Sequence, residues 1–288
     1  MRLLEDQDLS NKNVVLRLDL NVPIQDNCVL DSTRIFSSVP TIKHLIDKNC
    51  KILITSHLGR PKGGMLDKNF SMRPVADKLS KILDCEIDLI DSLTSSNIFN
   101  TTQIQLLENL RFLVGEKDND DELGYQLANK GHVYIFDAFG TAHRRQASTY
   151  SAIQQAKLSC AGLLLEQEIN SLNKALISIE NPFTAVIAGS KISTKLGLIA
   201  HLNSKADFII VGGGIANTFL KSQGFNVGES LVENEMIEIA KELFDSGKII
   251  LPKKVIVANS IDSNSSTIKN IDSVSSSDKV FDINLSCD

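Results

Sequence analysis

Short apolar runs rich in β-branched residues alternate along the chain with longer segments in which apolar residues recur every three or four positions. The short runs are typical of buried strands, and the longer segments are typical of amphipathic helices. The predicted strands are Val14–Leu20, Lys51–Ser56, Glu86–Ile90, Ile104–Leu107, Val133–Phe136, Thr184–Ala188, Phe208–Val211, Ile249–Leu251 and Val255–Ala258. The predicted helices are Arg34–Lys48, Arg73–Leu83, Asp121–Lys130, Leu163–Ile179, Ile192–Leu202, Ile215–Gln223 and Glu233–Asp245. Apolar strands separated by helices favour parallel sheets covered on both faces, and therefore an α/β fold.

One helical segment, Gly162–Ser178, lies near the middle of the chain and has no strand of its own. We predict that it joins two domains, residues 1–168 and residues 169–288. The stretch Ser260–Asp288 is rich in serine and aspartate and only weakly apolar, which predicts a loop or a poorly ordered tail. The second domain therefore looks incomplete.

Composition excludes several functional classes. The 288 residues carry a formal net charge of −5, which argues against a nucleic-acid-binding protein. The five cysteines are scattered and lack CxxC spacing, which favours a reducing cytoplasm over a disulfide framework or a metal site. No apolar run is long enough to span a bilayer, and the N-terminus is too acidic for a signal peptide. We therefore expect a cytoplasmic protein with no membrane or nucleic-acid partner.

Basic and polar residues cluster where the predicted strands of the first domain end, and all eight arginines lie at or before position 145. The carboxyl ends of parallel strands meet at one edge of a sheet, and arginine binds phosphate and carboxylate groups with paired hydrogen bonds. The sequence therefore predicts a small-anion site at that edge. Two alternatives stay open, namely a strand-ending Asx turn at Asp19 and a solvated basic turn at His57. The candidate residues are Asp19, Asn21, Arg34, His57, Arg60, Arg111 and Arg144.

The second domain has two strand–glycine–helix junctions. One contains Gly189 followed by Lys191 and Lys195, four positions apart and predicted to share a helix face. The other is the triple glycine at 212–214. Such turns accommodate phosphate at a helix N-terminus, although close packing between strand and helix also requires glycine. Neither junction matches the P-loop or the GxGxxG fingerprint.

Five motifs, in order along the chain, resemble those of the phosphoglycerate kinase family. The motifs match in order from about residue 3 to at least residue 260, and the resemblance covers about residues 3–285. Leu20 is a departure, because the family usually has phenylalanine at that position. The motifs are Arg17–Pro23, Ser56–Gly63, Leu107–Phe112, Asp137–Arg144 and Gly212–Leu220.

The resemblance implies two Rossmann-like parallel-sheet domains joined by a helical hinge. It implies a glycolytic kinase that transfers phosphate reversibly between ATP and 3-phosphoglycerate, with Mg²⁺ accompanying ATP or ADP and no covalent intermediate. The first domain would bind 3-phosphoglycerate or 1,3-bisphosphoglycerate through Asp19, Asn21, Arg34, His57, Leu58, Gly59, Arg60, Arg111 and Arg144. The second would bind the nucleotide through Gly189, Lys195, Gly213 and Gly214. The resemblance assigns catalysis to Arg34, Lys191 and Lys195.

The end of the sequence departs from the family. Family members continue for a further C-terminal quarter that carries a Trp-Asn-Gly-Pro motif, an acidic ribose contact, a GGGD turn and a helix returning to the first domain. This sequence ends at Asp288 and contains no tryptophan. We therefore expect a truncated second domain whose sheet lacks cover on part of one face, and weak kinase activity from these residues alone.

Two other functional classes are weighed against an active kinase. One is a truncated module that binds phosphoglycerate but does not transfer phosphate. The other is a nicotinamide-dependent dehydrogenase, which would suit the α/β pattern but not the absence of GxGxxG and of an acidic ribose residue after it. A kinase assay separates the first from an active enzyme. We expect a monomer and no metal ligands from the protein itself.

Overall fold

The computed structural model describes residues 1–176, 181–260, 262–263 and 265–284. The chain divides into two compact units, Met1–Leu172 and Asn173–Asp288. The division falls within a helix, Leu163–Leu176, that occupies the segment predicted to join the domains. The last residues of that predicted segment lie outside the described residues.

The first unit is built on a parallel sheet. Its strands are β1 (Asn13–Leu18), β2 (Ile24–Gln25), β3 (Cys28–Val29), β4 (Lys51–Thr55), β5 (Ile87–Ile90), β6 (Ile104–Leu107), β7 (Val133–Asp137) and β8 (Ser159–Ala161). Its helices are α1 (Thr33–Asp47), α2 (Arg73–Leu83), α3 (Asp121–Ala128), α4 (Ala152–Gln155) and α5 (Leu163–Leu176), the last of which continues into the second unit. Within the described residues, the sheet has six parallel strands in the order β5-β6-β4-β1-β7-β8, and β2 pairs with β3 as a hairpin.

The alternation of side chains along β1 divides the core between the two faces of this sheet. Val14 and Leu16 are fully buried on one face, in a cluster that includes residues of α1 and α2. Val15 is fully buried on the other face, in a cluster that includes residues of α3 and of a π-helical turn, Ala147–Ser151. Arg17 lies two positions after Val15, so it shares the Val15 face, and it too is fully buried.

The sequence pattern misses one strand of this sheet, β8. It spans only Ser159–Ala161 and pairs with β7 at the sheet edge. A strand of this length is too short to produce a recognisable alternation. The other elements predicted before residue 163 agree with the observed ones to within one or two residues at each end. The predicted helix Leu163–Ile179 is described only as far as Leu176.

The second unit contains two sheets within the described residues. Its strands are β9 (Thr184–Ala188), β10 (Phe208–Gly212), β11 (Ile249–Ile250), β12 (Lys254–Ala258), β13 (Thr267–Asn270) and β14 (Lys279–Asn284). Its helices are α6 (Leu196–Asn203), α7 (Gly213–Ser222) and α8 (Ile237–Phe244). Strands β11-β10-β9 form a parallel sheet, and β13-β12-β14 form a separate antiparallel sheet.

Two predictions about the last part of the chain are wrong. The described part of Ser260–Asp288 is not a loop, because β13 and β14 lie there. The strand Val255–Ala258 does not extend the parallel sheet, because β12 is the centre of the antiparallel one. Apolar residues scattered among the serines, such as Val274 and Val280, complete a small core with the valines of β12. Such isolated apolar positions give no periodic signal, and the pairing of the strands buries them.

One face of the parallel sheet in the second unit is covered, and the other is open. Ile187 and Ile209 are buried in a core to which α6, α7 and α8 contribute. On the opposite face, Val186 is 69%, Phe208 46% and Ile250 44% exposed. The apolar runs taken alone predict burial on both faces, whereas this exposure agrees with the expectation that the second sheet lacks cover on part of one face. No described helix combines the length and the apolar content needed to cross a bilayer.

Candidate functional site

Neighbouring strands bring the predicted basic residues of the first unit to one edge of the sheet. Strands β6, β4, β1 and β7 lie side by side and run parallel, so their carboxyl ends meet. The four strands are followed by Arg111 after β6, by His57 to Arg60 after β4, by Asp19 and Asn21 after β1, and by Arg144 after β7. The topology therefore assembles one basic cluster from segments far apart in the sequence.

Arg34, in the first turn of α1, is held by Asp19. Its Nη1 atom lies 2.8 Å from Oδ2 of Asp19. The other carboxylate oxygen of Asp19 accepts the backbone N–H of Asn21 at 3.3 Å. Because 51% of the Arg34 side chain is exposed, its guanidinium can still reach a ligand. Asp19 is thus placed to orient Arg34 rather than only to contact a ligand itself.

The loop after β4 is fixed by Asn109. The side chain of Asn109 accepts the backbone N–H of Leu58 at 3.1 Å and donates to the Leu58 carbonyl at 2.8 Å. It also donates to the Phe70 carbonyl at 2.9 Å. The Leu58 side chain is buried in the apolar core, and its backbone N–H and carbonyl are both engaged by Asn109, so Leu58 shapes the loop.

Gly59 gives this loop its shape. Its φ is 58°, and a Cβ at this position would lie 2.3 Å from the ring of Phe70. Both the left-handed backbone and the close approach require glycine. The N–H of Gly59 donates to Oδ1 of Asn21 at 2.8 Å, and its carbonyl accepts a hydrogen bond from Nη1 of Arg111. Gly59 therefore ties the loops after β1, β4 and β6 together.

His57, at the centre of the cluster, is buried and neutral. Only 3% of this residue is exposed. Burial, followed by the positive charges of Arg17, Arg111, Arg144 and Arg34, lowers the pKa of His57 to about 2. A neutral imidazole donates one hydrogen bond and accepts another. His57 can therefore bind an anion as a neutral donor.

Arg111 is also largely buried, with 8% of the residue exposed. Burial lowers the pKa of Arg111, and the neighbouring charge of Arg144 is the next cause. The Nε atom of Arg111 is buried and has no hydrogen-bond partner within the described residues. Leaving a buried charged donor unpaired is costly, and a bound anion would relieve this cost. The cluster, which also includes the exposed Arg60, therefore fits a ligand with more than one negative charge.

Four residues that support this site are not assigned from sequence. Asn109 holds the loop after β4, and Nη2 of Arg17 lies 3.2 Å from Nδ1 of His57. Ser148 accepts a hydrogen bond from Arg17 and donates one to Glu116. Arg17 carried a usable signal, since a charged residue inside an apolar strand needs buried partners. Asn109 lies in the motif Leu107–Phe112, but it is uncharged, so a search for basic residues that bind an anion does not select it. Glu116 and Ser148 lie outside all five motifs, and we find no sequence signal for either.

Two glycine turns of the second unit pack against each other. Gly189 follows β9, and α7 begins at Gly213 directly after β10. Gly213 has a φ of 61°, and a Cβ on it would lie 3.0 Å from the Gly189 carbonyl oxygen. A Cβ on Gly214 would lie 2.4 Å from the carbonyl oxygen of Ser190. The contact between the two turns therefore requires glycine at both positions of α7.

The lysines of this region do not share a helix face, contrary to the prediction. The predicted helix starts at Ile192, but α6 begins at Leu196, so Lys191 lies in a loop and Lys195 is the N-cap. The carboxylate of Glu233 accepts the N–H of Ser193 at 3.0 Å and its hydroxyl at 2.5 Å, which holds this segment in a turn. The Cε atom of Lys195 would lie 3.7 Å from a Cβ on Gly189.

The structure thus gathers Gly189, Lys195, Gly213 and Gly214 and leaves Lys191 exposed on the same loop. Backbone N–H groups and an ammonium group together suit a phosphate. Within the described residues, no three His, Cys, Asp or Glu side chains are grouped so that they could hold a metal ion.

The chain is similar to phosphoglycerate kinases in sequence and in structure. A family model described as phosphoglycerate kinase matches residues 4–287. The phosphoglycerate kinase of Vibrio campbellii is 43% identical over 279 residues, which cover 96% of this chain and 72% of that protein. The corresponding enzyme of Coxiella burnetii is 43% identical over 282 residues, with coverage of 96% and 72%.

Two solved structures agree with these matches. The structure of phosphoglycerate kinase from Coxiella burnetii has a TM-score of 0.84 at 41% identity, and the match covers 99% of this chain and 75% of that one. The phosphoglycerate kinase from Pyrococcus horikoshii has a TM-score of 0.83 at 26% identity, with coverage of 99% and 76%. Solved structures thus match the two parallel-sheet units predicted from sequence. These matches support the kinase hypothesis and not the dehydrogenase alternative.

Proposed function

The chain belongs to the phosphoglycerate kinase family, and from this premise we propose that it transfers a phosphoryl group reversibly between ATP and 3-phosphoglycerate in glycolysis. A carboxylate oxygen of 3-phosphoglycerate attacks the γ-phosphorus of ATP, and the bond from that phosphorus to the bridging oxygen of ADP breaks. The products are 1,3-bisphosphoglycerate and ADP. The observation that carries this proposal is the arginine cluster around a buried, neutral His57.

We assign 3-phosphoglycerate to the basic edge of the first unit. The ligand has an anionic group at each end, a phosphate and a carboxylate, which matches a site with several guanidinium groups. The unpartnered Nε of Arg111 supports this assignment, because an anion would supply its missing acceptor. The proposed contacts are Asp19, Asn21, Arg34, His57, Arg60, Arg111 and Arg144. Leu58 and Gly59 are proposed to shape the site, because their backbone N–H groups already donate to Asn109 and Asn21.

We assign the nucleotide phosphates to the paired glycine turns of the second unit, with Gly189, Lys195, Gly213 and Gly214 as contacts. Mg²⁺ would arrive with ATP or ADP as part of that substrate, bound by phosphate oxygens. Phosphoryl transfer depends on positioning and on neutralising charge, so no covalent intermediate is required. Arg34 and Lys195 are proposed to stabilise the transferring group, with Lys191 adding positive charge.

A coupled assay of 1,3-bisphosphoglycerate formation from Mg-ATP and 3-phosphoglycerate tests this function on the purified chain. The same assay tests the expectation of weak turnover from residues 1–288. Calorimetry with each ligand separates the two sites, and we expect 3-phosphoglycerate binding to weaken as salt is added. No heat of binding at millimolar 3-phosphoglycerate, from folded protein, would contradict the assignment.

We further propose a monomer in the cytoplasm. The cysteines Cys28, Cys50, Cys85 and Cys160 are free thiols, which suits a reducing compartment. Sedimentation velocity and cell fractionation test these two points directly.

A further inference from the structure

A chain of buried hydrogen bonds runs behind His57. Nη2 of Arg17 lies 3.2 Å from Nδ1 of His57, and Nε of Arg17 donates to the hydroxyl of Ser148 at 3.0 Å. That hydroxyl donates in turn to Oε1 of Glu116 at 2.6 Å. The backbone N–H of Ser148 donates to the other oxygen of Glu116 at 3.0 Å, and the hydroxyl of Tyr134 donates to the Ser148 carbonyl at 2.6 Å. Every member of this chain is buried.

Arg17 cannot be a ligand contact, because it is fully buried. The third nitrogen of its guanidinium group, Nη1, donates to the carbonyl of Leu18, so all three nitrogens have hydrogen-bond partners within the protein. The role of Arg17 must therefore be exerted through another residue. The neighbour that could pass such an effect to a ligand is His57.

The hydrogen bond between Arg17 and His57 can have only one direction, from Arg17 to His57. A guanidinium group donates hydrogen bonds and never accepts them. Nδ1 of His57 must therefore be the acceptor, which places the single ring proton on Nε2. The protein thus selects one of the two neutral tautomers, because the partner of one ring nitrogen decides the state of the other.

We propose that Arg17 is a positioning residue that holds His57 as the neutral tautomer protonated at Nε2, and that Ser148 and Glu116 hold Arg17 in place. His57 then offers the substrate an N–H donor that needs no proton from solvent. The link to substrate rests on the proposed function, since it takes the ligand at this edge to be anionic. The tautomer itself follows from the protein alone.

The tautomer can be read directly from long-range ¹H–¹⁵N spectra of the full chain labelled in its histidines. His57→Gln assigns the signal of His57 among the five histidines. We expect an unprotonated Nδ1 and a protonated Nε2 in the absence of ligand. A doubly protonated ring, or a ring protonated at Nδ1, would overturn the proposal. Since no ligand is present, this result does not depend on the proposed function.

The positioning role is tested with Ser148→Ala, because Arg17→Lys changes a fully buried charge and can prevent folding. Ser148→Ala removes the acceptor of Arg17 Nε and leaves Arg17 present. We expect it to raise the Kd for 3-phosphoglycerate about 3- to 10-fold, the effect of one lost hydrogen bond. An unchanged Kd would overturn the role of Ser148.

Ser151→Ala is the matched control. Ser151 lies on the same π-helical turn and is similarly buried, but its hydroxyl donates to Asp121 at 2.7 Å and not to the Arg17 chain. This control should change the Kd by less than about 2-fold even if stability falls by a similar amount. An equal loss of affinity in both variants would reduce the role of Ser148 to general stability and overturn the proposal.

A double-mutant cycle separates action through His57 from an independent effect. In a His57→Gln background, Ser148→Ala should change the Kd by less than about 2-fold, because the residue through which it acts is gone. If Ser148→Ala raised the Kd as much in the His57→Gln background as in the parent protein, the proposal would be overturned. If 3-phosphoglycerate bound none of these proteins but the spectra showed the Nε2 tautomer, the proposed function would fail and the tautomer assignment would stand.

Discussion

The candidate site of the first unit is formed mainly by side chains, whereas that of the second unit is formed mainly by backbone groups. In the first, buried side chains such as Asn109 and Arg17 hold the loops and the ligand-facing groups in place. In the second, the site is mainly backbone, formed where Gly213 and Gly214 pack against the turn that follows β9. A side-chain site can match the two different anionic ends of a small acid, whereas backbone N–H groups suit phosphate in general.

The units also differ in how their sheets are covered. Both faces of the first sheet carry buried clusters, and Val14 and Val15 of the same strand are both fully buried. In the second, Val186 remains 69% exposed while its neighbour Ile187 is buried. Burial on both faces is what allows a charged network such as that of Arg17 to be kept away from water.

The largest effect is expected from Arg34, which is exposed and contributes little to folding. Arg34→Ala should lower kcat by about 10²- to 10³-fold, because charge that develops in transfer loses its partner. Arg34→Lys should recover only part of this, since the paired donors of the guanidinium are lost. Steady-state kinetics and thermal unfolding of both variants provide the measurement. Full turnover of Arg34→Lys, measured in an active, full-length context, would refute the role.

The backbone site is tested by comparing two glycines of the second unit. Gly214→Ala forces a Cβ to within 2.4 Å of a carbonyl oxygen, whereas a Cβ on Gly197 in α6 meets nothing within 4 Å. We expect Gly214→Ala to cost about 1–3 kcal/mol of unfolding free energy and to weaken ATP binding. Gly197→Ala should stabilise the unit by about 0.5–1 kcal/mol. Chemical unfolding and calorimetry with ATP measure both, and equal effects would contradict the packing argument.

His57 should make the stability of the first unit depend on pH. Its pKa is about 2 in the folded protein, against an ordinary value of 6.5. The unfolded chain therefore takes up the proton first, so stability is fully present above pH 6.5 and is lost as the pH falls toward 2. Between pH 7 and 5.5, the parent should lose about 1 kcal/mol more than His57→Gln.

Urea unfolding at the two pH values measures this difference. His201→Gln is the control, because His201 is exposed and lies in the second unit. It should leave the pH dependence of the first unit unchanged. A His57→Gln variant with the same pH dependence as the parent would show that His57 is not held neutral.

The smallest effect is expected on the open face of the second sheet. Val186→Thr keeps the β-branched shape at an exposed position, so the unfolding free energy should change by less than about 0.5 kcal/mol. Ile187→Val, on the covered face of the same strand, should cost about 1 kcal/mol. Equal losses in chemical unfolding would show that both faces of the sheet are covered in solution.

Much of this architecture follows from local sequence pattern. The fully buried strand β6 coincides with its predicted run, because near-continuous apolar sequence is typical of a strand inside a parallel sheet. The strand-end positions of Asp19, His57 and Arg144 follow as well, because parallel strands present their carboxyl ends at one edge. In contrast, β13 and β14 carry few buried apolar residues, so the sequence pattern predicts a loop there.

The α/β class and the chemistry of the residues at the strand ends follow from the amino-acid sequence, because both depend on the period and composition of short segments. Which of these residues act together depends on how distant segments pack in three dimensions. Ser148 meets Arg17 across 131 positions, Arg17 meets His57 across 40, and Glu233 holds the turn at Ser193 across 40. A hydrogen bond depends on distances of about 3 Å between atoms, and no local pattern encodes the distance between segments so far apart in the chain.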